Sequence, residues 1–110
     1  MRSVFLLAAL TMGLAATAAQ AGDIDLAAAA ELAKNSDCFS CHAANEKIVG
    51  PAFASVAEKY AGDKDAIDTL VQSIQLGSKG KWGRAAMPGH SSLSTQDLKL
   101  LAGWVLATKP

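Results

Sequence analysis

Residues 22–110 hold 23 large apolar side chains, 16 alanines and two cysteines, which is little material for an interior. A domain of 89 residues has much surface for its volume and needs dense burial to stay folded. The shortage points to something other than side chains filling the core. It also leaves room for no more than one small domain.

Residues 1–21 are judged apart because they hold 15 hydrophobic residues and a single charge, Arg2. A short positive start, an apolar run over residues 4–16 and the small-x-small sequence Ala19-Gln20-Ala21 form the three-part pattern of a secretory signal. The rival is a membrane anchor. However, the run is rich in alanine, is broken by Thr11, Gly13 and Thr17, and falls short of the ~20 apolar residues a span needs. The expected organisation is a signal peptide at 1–21, cleaved after Ala21, and one domain at 22–110.

That domain carries nine Lys and Arg against ten Asp and Glu. With no block of basic residues it has no nucleic-acid footprint. Its pattern is helical. A first helix is expected over residues 24–35, with Ile24, Ala28 and Leu32 along one face and Asp23 or Asp25 as its cap. Pro51 is suited to open a second over 52–60, because its missing N–H falls where a helix start has no internal acceptor. A third is expected over 63–76, with Ile67, Leu70, Val71 and Ile74 on one face. The fourth, over 95–107, follows a capping-box sequence, Ser94-Thr95-Gln96-Asp97, and buries Leu98, Leu101 and Val105 with Trp104 beside them. No segment alternates long enough to argue a strand. Between the last two helices, residues 77–92 form a glycine-rich irregular loop, of a length that is usually functional.

Cys38-Phe39-Ser40-Cys41-His42 is the string that carries chemistry. Cys-x-x-Cys-His is the attachment signature of c-type haem: two thiols on one helical turn can each add to a vinyl group of the same porphyrin, and the adjacent imidazole reaches the iron. A dithiol redox site would need the same two cysteines, but no βαβ pattern surrounds them. A zinc site would have to use Cys38, Cys41, His42 and His90, and the adjacent Cys41-His42 pair does not match structural zinc spacing.

With His42 on one side of a haem, Met87 and His90 are the remaining donors for the other. A lone methionine more often fills a core gap. Met87 instead sits in the glycine-rich loop, far along the chain from His42. That suits a strap across the opposite haem face and the His/Met pair of a six-coordinate electron carrier.

In this order and spacing, Cys38-Phe39-Ser40-Cys41-His42, Val49-Gly50-Pro51-Ala52, Gly77-Ser78-Lys79-Gly80-Lys81-Trp82-Gly83, Ala86-Met87-Pro88 and Leu101-Ala102-Gly103-Trp104-Val105-Leu106 resemble the short bacterial class I cytochromes c. These are single-haem periplasmic carriers known as donors to nitrite reductases and terminal oxidases. The resemblance implies about four short helices wrapped around one covalent haem c, with the terminal helices packed together. It implies that the Pro51 carbonyl accepts from the second ring nitrogen of His42 and that the Trp82 indole N–H reaches a haem propionate. Trp104 is left to packing between the terminal helices, with no role in the site. Two departures stand out. Gly89 and His90 follow Pro88, whereas relatives carry a proline-rich stretch around the methionine, followed by an asparagine that can bond its sulfur. Ser73 stands where several relatives have an arginine near a propionate.

The expected function is therefore one-electron transfer in the periplasm by a monomer, not enzymatic catalysis. The implied partners are transient: a quinol-oxidising cytochrome complex as donor and a nitrite reductase or terminal oxidase as acceptor. Lys79, Lys81 and Arg84 flank the methionine loop and form a candidate steering patch for acidic partners. The alternatives are a haem subunit of a larger oxidoreductase, and a ligand-binding or peroxidase-like protein with a labile Met87.

Overall fold

The computed structural model describes residues 24–110 and, ahead of them, Gly13 alone. The expected signal peptide otherwise lies outside the described residues. Four helices, α1 (Leu26–Asn35), α2 (Phe53–Lys59), α3 (Ala66–Leu76) and α4 (Thr95–Leu106), surround the site, with a 3-10 turn at Cys38–Ser40 between the first two. The described residues hold no strand, only isolated bridges joining His42 to Lys47 and Ser78 to Met87. The chain is all-α, as its periodicity implies.

α4 is the hub, packing on each of the other helices. Ser94 caps it, its Oγ accepting from the Asp97 N–H at 3.1 Å. Leu98 and Leu101 are 1% and 2% exposed, and burying a leucine in full is worth about 1.5–3 kcal/mol. α1 crosses α4 through small residues: Ala29 and Ala33 on one helix, Ala102 and Gly103 on the other, all buried. Ala28, expected on this face, is exposed. The expected register counts from Ile24, which is not helical, and the buried face runs through Ala29 and Ala33 instead. Asp25 accepts from the Ala28 N–H at 3.0 Å, so α1 starts at Leu26. Ile24 lies outside the helix and over Gly103, where any Cβ would strike its Cδ1.

α3 also starts later than its apolar pattern suggests. The Asp63 carboxylate accepts from the Asp65 N–H at 2.8 Å, and the Asp63 carbonyl from the Ala66 N–H. This local turn competes with helix for the same residues, a habit of aspartate. α2 has no side-chain cap. Its first N–H groups are satisfied by the preceding loop instead: Phe53 donates to the Ala43 carbonyl and Ala54 to the Ala44 carbonyl, both at 3.0 Å. The start of α2 is thus tied to the chain just after His42.

The interior is as thin as the composition implies. Among the buried apolar residues only Phe53, Val56, Leu70, Ile74, Leu98, Leu101 and Val105 are larger than alanine.

Candidate functional site

His42 is placed by a tight local construction. The N–H groups of Cys41 and His42 both donate to the Cys38 carbonyl, closing the turn that carries the two thiols. Asp37 enters this turn in the left-handed region at φ 60°, a conformation aspartate tolerates better than most side chains. The Gly50 N–H returns to the Cys41 carbonyl at 2.7 Å. Gly50 then lies against the imidazole, where a Cβ would come within 2.6 Å of Cε1. The Phe53 ring stacks on His42, centroids 4.9 Å apart and planes 21° from parallel. His42 Nδ1 is 2.7 Å from the Pro51 carbonyl oxygen. A carbonyl only accepts, so Nδ1 carries the proton and Nε2 keeps its lone pair for a metal.

Met87 is placed by its backbone. Its N–H donates to the Ser78 carbonyl at 2.8 Å, and its carbonyl accepts from the Ser78 N–H at 3.1 Å. Three residues on, the His90 N–H bonds the Ile74 and Gln75 carbonyls. The loop therefore lies flat on the end of α3, and two glycines make that approach possible. At Gly77, φ +79°, a Cβ would strike the Met87 carbonyl oxygen, and at Gly89 it would come within 2.8 Å of the Gln75 carbonyl. The glycine-rich loop is irregular but well anchored. His90 is half-buried, and the hydrogen bonds it makes are those of its main chain.

Between these two constructions runs a cleft of about 890 Å³, part of it open to solvent, lined by Cys41, His42 and Met87 with Val56, Leu70 and Ile74. A second opening shares Cys41, His42 and Met87 and adds Cys38 and His90. Of the six residues singled out from the sequence, Cys41, His42, Met87, Pro51 and Trp82 line the cleft, and Cys38 lines the opening that shares Cys41, His42 and Met87 with it. An imidazole with a free lone pair, a thioether, two unpaired thiols and an apolar lining fit a covalently held haem.

The rival uses of the cysteines fit less well. Burial pushes the Cys38 thiol above its ordinary pKa, its own backbone hydrogen bond opposes this, and the Asp37 charge adds to the rise. Dithiol redox sites depend on a lowered pKa. Among the described residues no three His, Cys, Asp or Glu side chains converge in a way that could hold an ion, and these residues include the four of the zinc reading.

The far end of the cleft holds residues the sequence does not single out together. Ser73 is the buried polar residue of α3, and Lys81 donates to its Oγ at 2.9 Å. Trp82, half-buried beside them, carries the Lys59 ammonium over its ring at 4.6 Å. Ser73, Lys81 and Trp82 all line the cleft. Phe53 and Trp104 are edge-packed at 5.0 Å, with Phe39 against both, so the aromatic partners of Trp104 lie on α2 and the Cys38–Ser40 turn and not on the first helix.

Comparison with known proteins agrees with this geometry. The cytochrome c family model matches residues 26–109. The chain is 44% identical over 80 residues to cytochrome c-552 of Nitrosomonas europaea, covering 73% of this chain and 78% of that one. It is 46% identical over 79 residues to cytochrome c-552 of Hydrogenobacter thermophilus, covering 72% and 80%. Among solved structures, wild-type Nitrosomonas europaea cytochrome c552 superposes with a TM-score of 0.70, covering 73% of this chain and 99% of that one. The class 1 cytochrome MtoD of Sideroxydans lithotrophicus, 29% identical, gives 0.68 over 78% and 98%. With four helices closed around a cleft that presents a Cys-x-x-Cys-His turn, this chain belongs to the cytochrome c family, as a small class I member that carries covalent haem c and transfers electrons rather than catalysing a reaction.

Proposed function

We propose that this cytochrome is a periplasmic one-electron carrier in which His42 and Met87 are the axial ligands of a haem held by Cys38 and Cys41. Pro51 fixes the His42 tautomer, and Trp82 donates to a propionate. The observation that carries this reading is the pairing of a His42 ring locked at Nδ1 by the Pro51 carbonyl with a Met87 pinned to Ser78 on the same cleft. When bound, haem c supplies a one-electron iron couple. The chain's part would be to hold the iron with His42 and Met87 and to keep water away with the apolar wall of Val56, Leu70 and Ile74. Methionine ligation and a dry pocket both favour the reduced form and raise the potential.

Export after cleavage at Ala21 accounts for a chain of this family that begins with a signal-like leader. Among the described residues no helix is long and apolar enough to cross a membrane. Electrons would come from a quinol-oxidising complex and go to a nitrite reductase or terminal oxidase. Docking would take place at the face bearing Lys79 and Arg84, both exposed. Lys81, part of the same basic trio and exposed as well, has its ammonium bonded to Ser73 and is less available for steering.

The test is the near-infrared absorption of the ferric, matured protein. A weak methionine-to-iron band that vanishes in Met87→Ala establishes the axial pair. High-spin or bis-histidine features in the native protein would overturn it, favour an open or displaceable site, and make His90 the next residue to replace.

A further inference from the structure

Cys41, His42 and Met87 are accounted for by attachment and ligation, but the polar cluster of Ser73, Lys81 and Trp82 on the same cleft is not. Ser73 is an unusual residue to bury on the inner face of α3, between Leu70 and Ile74. Its hydroxyl accepts from Lys81, which leaves its own O–H free to donate. The Lys81 ammonium keeps two further N–H groups, and the Trp82 indole is a donor only. Lys59 stands over the Trp82 ring and adds a second positive charge to the same corner. All these groups donate, and none is a carboxylate. Such a set suits an anion with two oxygens. The anionic groups that haem c brings to a cleft are its two carboxylates.

We propose that Lys81, held toward the cleft by Ser73, is the cation that pairs with a haem carboxylate, with the Ser73 hydroxyl and the Trp82 N–H completing the recognition. This rests on the reading of the cleft as a His42/Met87 haem site. It also answers what Ser73 does where relatives place an arginine: the positive charge comes from Lys81, one helix end away, instead of from α3 itself. An unpaired carboxylate beside the iron favours the ferric state, so its pairing raises the potential. Lys81 acts here as a positioning and charge-balancing residue, since it contacts the cofactor's edge and not the reacting iron.

The experiment is a spectroelectrochemical titration of matured holoprotein, comparing Lys81→Gln and Lys81→Arg with Lys79→Gln, a lysine as exposed as Lys81 that does not line the cleft. Lys81→Gln should lower the ratio of reduced to oxidised protein at a fixed potential at least threefold, about 28 mV at 59 mV per decade for one electron. Lys81→Arg should keep the parent ratio, and Lys79→Gln should move it by less than half as much as Lys81→Gln. The near-infrared methionine band is recorded on every variant. If the parent lacks the band, the ligation reading has failed and this proposal fails with it. If the band persists throughout and Lys81→Gln shifts the potential no more than Lys79→Gln, the ligation reading stands and the role of Lys81 is overturned.

Discussion

On the His42 wall of the cleft the side chain itself is held, by a hydrogen bond from Nδ1 to Pro51, a stacked Phe53 ring and a glycine pressed against its edge. On the Met87 wall the held group is the main chain, paired with Ser78 and laid on the end of α3 through Gly77 and Gly89. A fixed imidazole suits the ligand that belongs to the attachment turn, since its direction must match two thioether bonds made a few residues away. A thioether on a flexible stem, brought to the right place by its backbone, can settle on the iron by its own rotamers. The two walls should therefore break in different ways.

The largest effect should come from removing what both walls close upon. The double variant Cys38→Ala, Cys41→Ala cannot hold the cofactor covalently, and seven large buried residues are too few to fold a domain this small alone. Its far-ultraviolet circular dichroism should show loss of most helix, whereas a native-like helical spectrum without haem would contradict the thin-core argument. Next in size is Gly77→Ala. At φ +79° and ψ 176° the position is one essentially only glycine adopts, and the new Cβ meets the Met87 carbonyl oxygen, so backbone strain and overpacking add to about 3 kcal/mol. Chemical denaturation should show that loss. The ferric methionine band should weaken while the haem stays attached, the signature of a damaged Met87 wall with an intact His42 wall.

The difference between the walls also explains how much of each was legible beforehand. Cys38, Cys41 and His42 form a contiguous string whose chemistry is local, and Met87 was reachable by elimination among few donors. The helices were legible because Leu70, Ile74, Leu98 and Leu101 repeat at helical spacing. Their starts were less so, because Asp25 and Asp63 hydrogen-bond nearby N–H groups and so decide where a helix begins. The stacking of Phe53 on His42 could have been suspected only from its place two residues after Pro51. The meeting of Gly77 with Met87 and of Lys81 with Ser73 depends on how a loop without periodicity folds back on α3. No repeat in the residues encodes that.

Gly50→Ala tests the His42 wall with a smaller disturbance. Its backbone is not left-handed, so the cost is the contact alone: a Cβ 2.6 Å from Cε1 and 2.9 Å from Nδ1 must push the imidazole or move the loop. About 1–2 kcal/mol is expected for such overpacking. The methionine band should survive, while the hyperfine-shifted His42 proton resonances move as the ring turns. Unmoved His42 resonances would show that the loop yields instead, and that the ring is held by Pro51 and Phe53 without help from Gly50.

The smallest effect should come from Gly80→Ala, which separates strain from collision. Gly80 has nearly the same φ as Gly77, +78°, but a Cβ there meets nothing within 4 Å. Only the left-handed backbone penalty applies, about 1 kcal/mol, and neither the methionine band nor the His42 resonances should change. The loss at Gly77→Ala in excess of this one holds the contact with Met87 together with the further strain of a ψ of 176° at Gly77. Should the two variants prove equally stable, backbone conformation alone would account for Gly77, and the close seating of the strap on α3 would not be what positions the methionine.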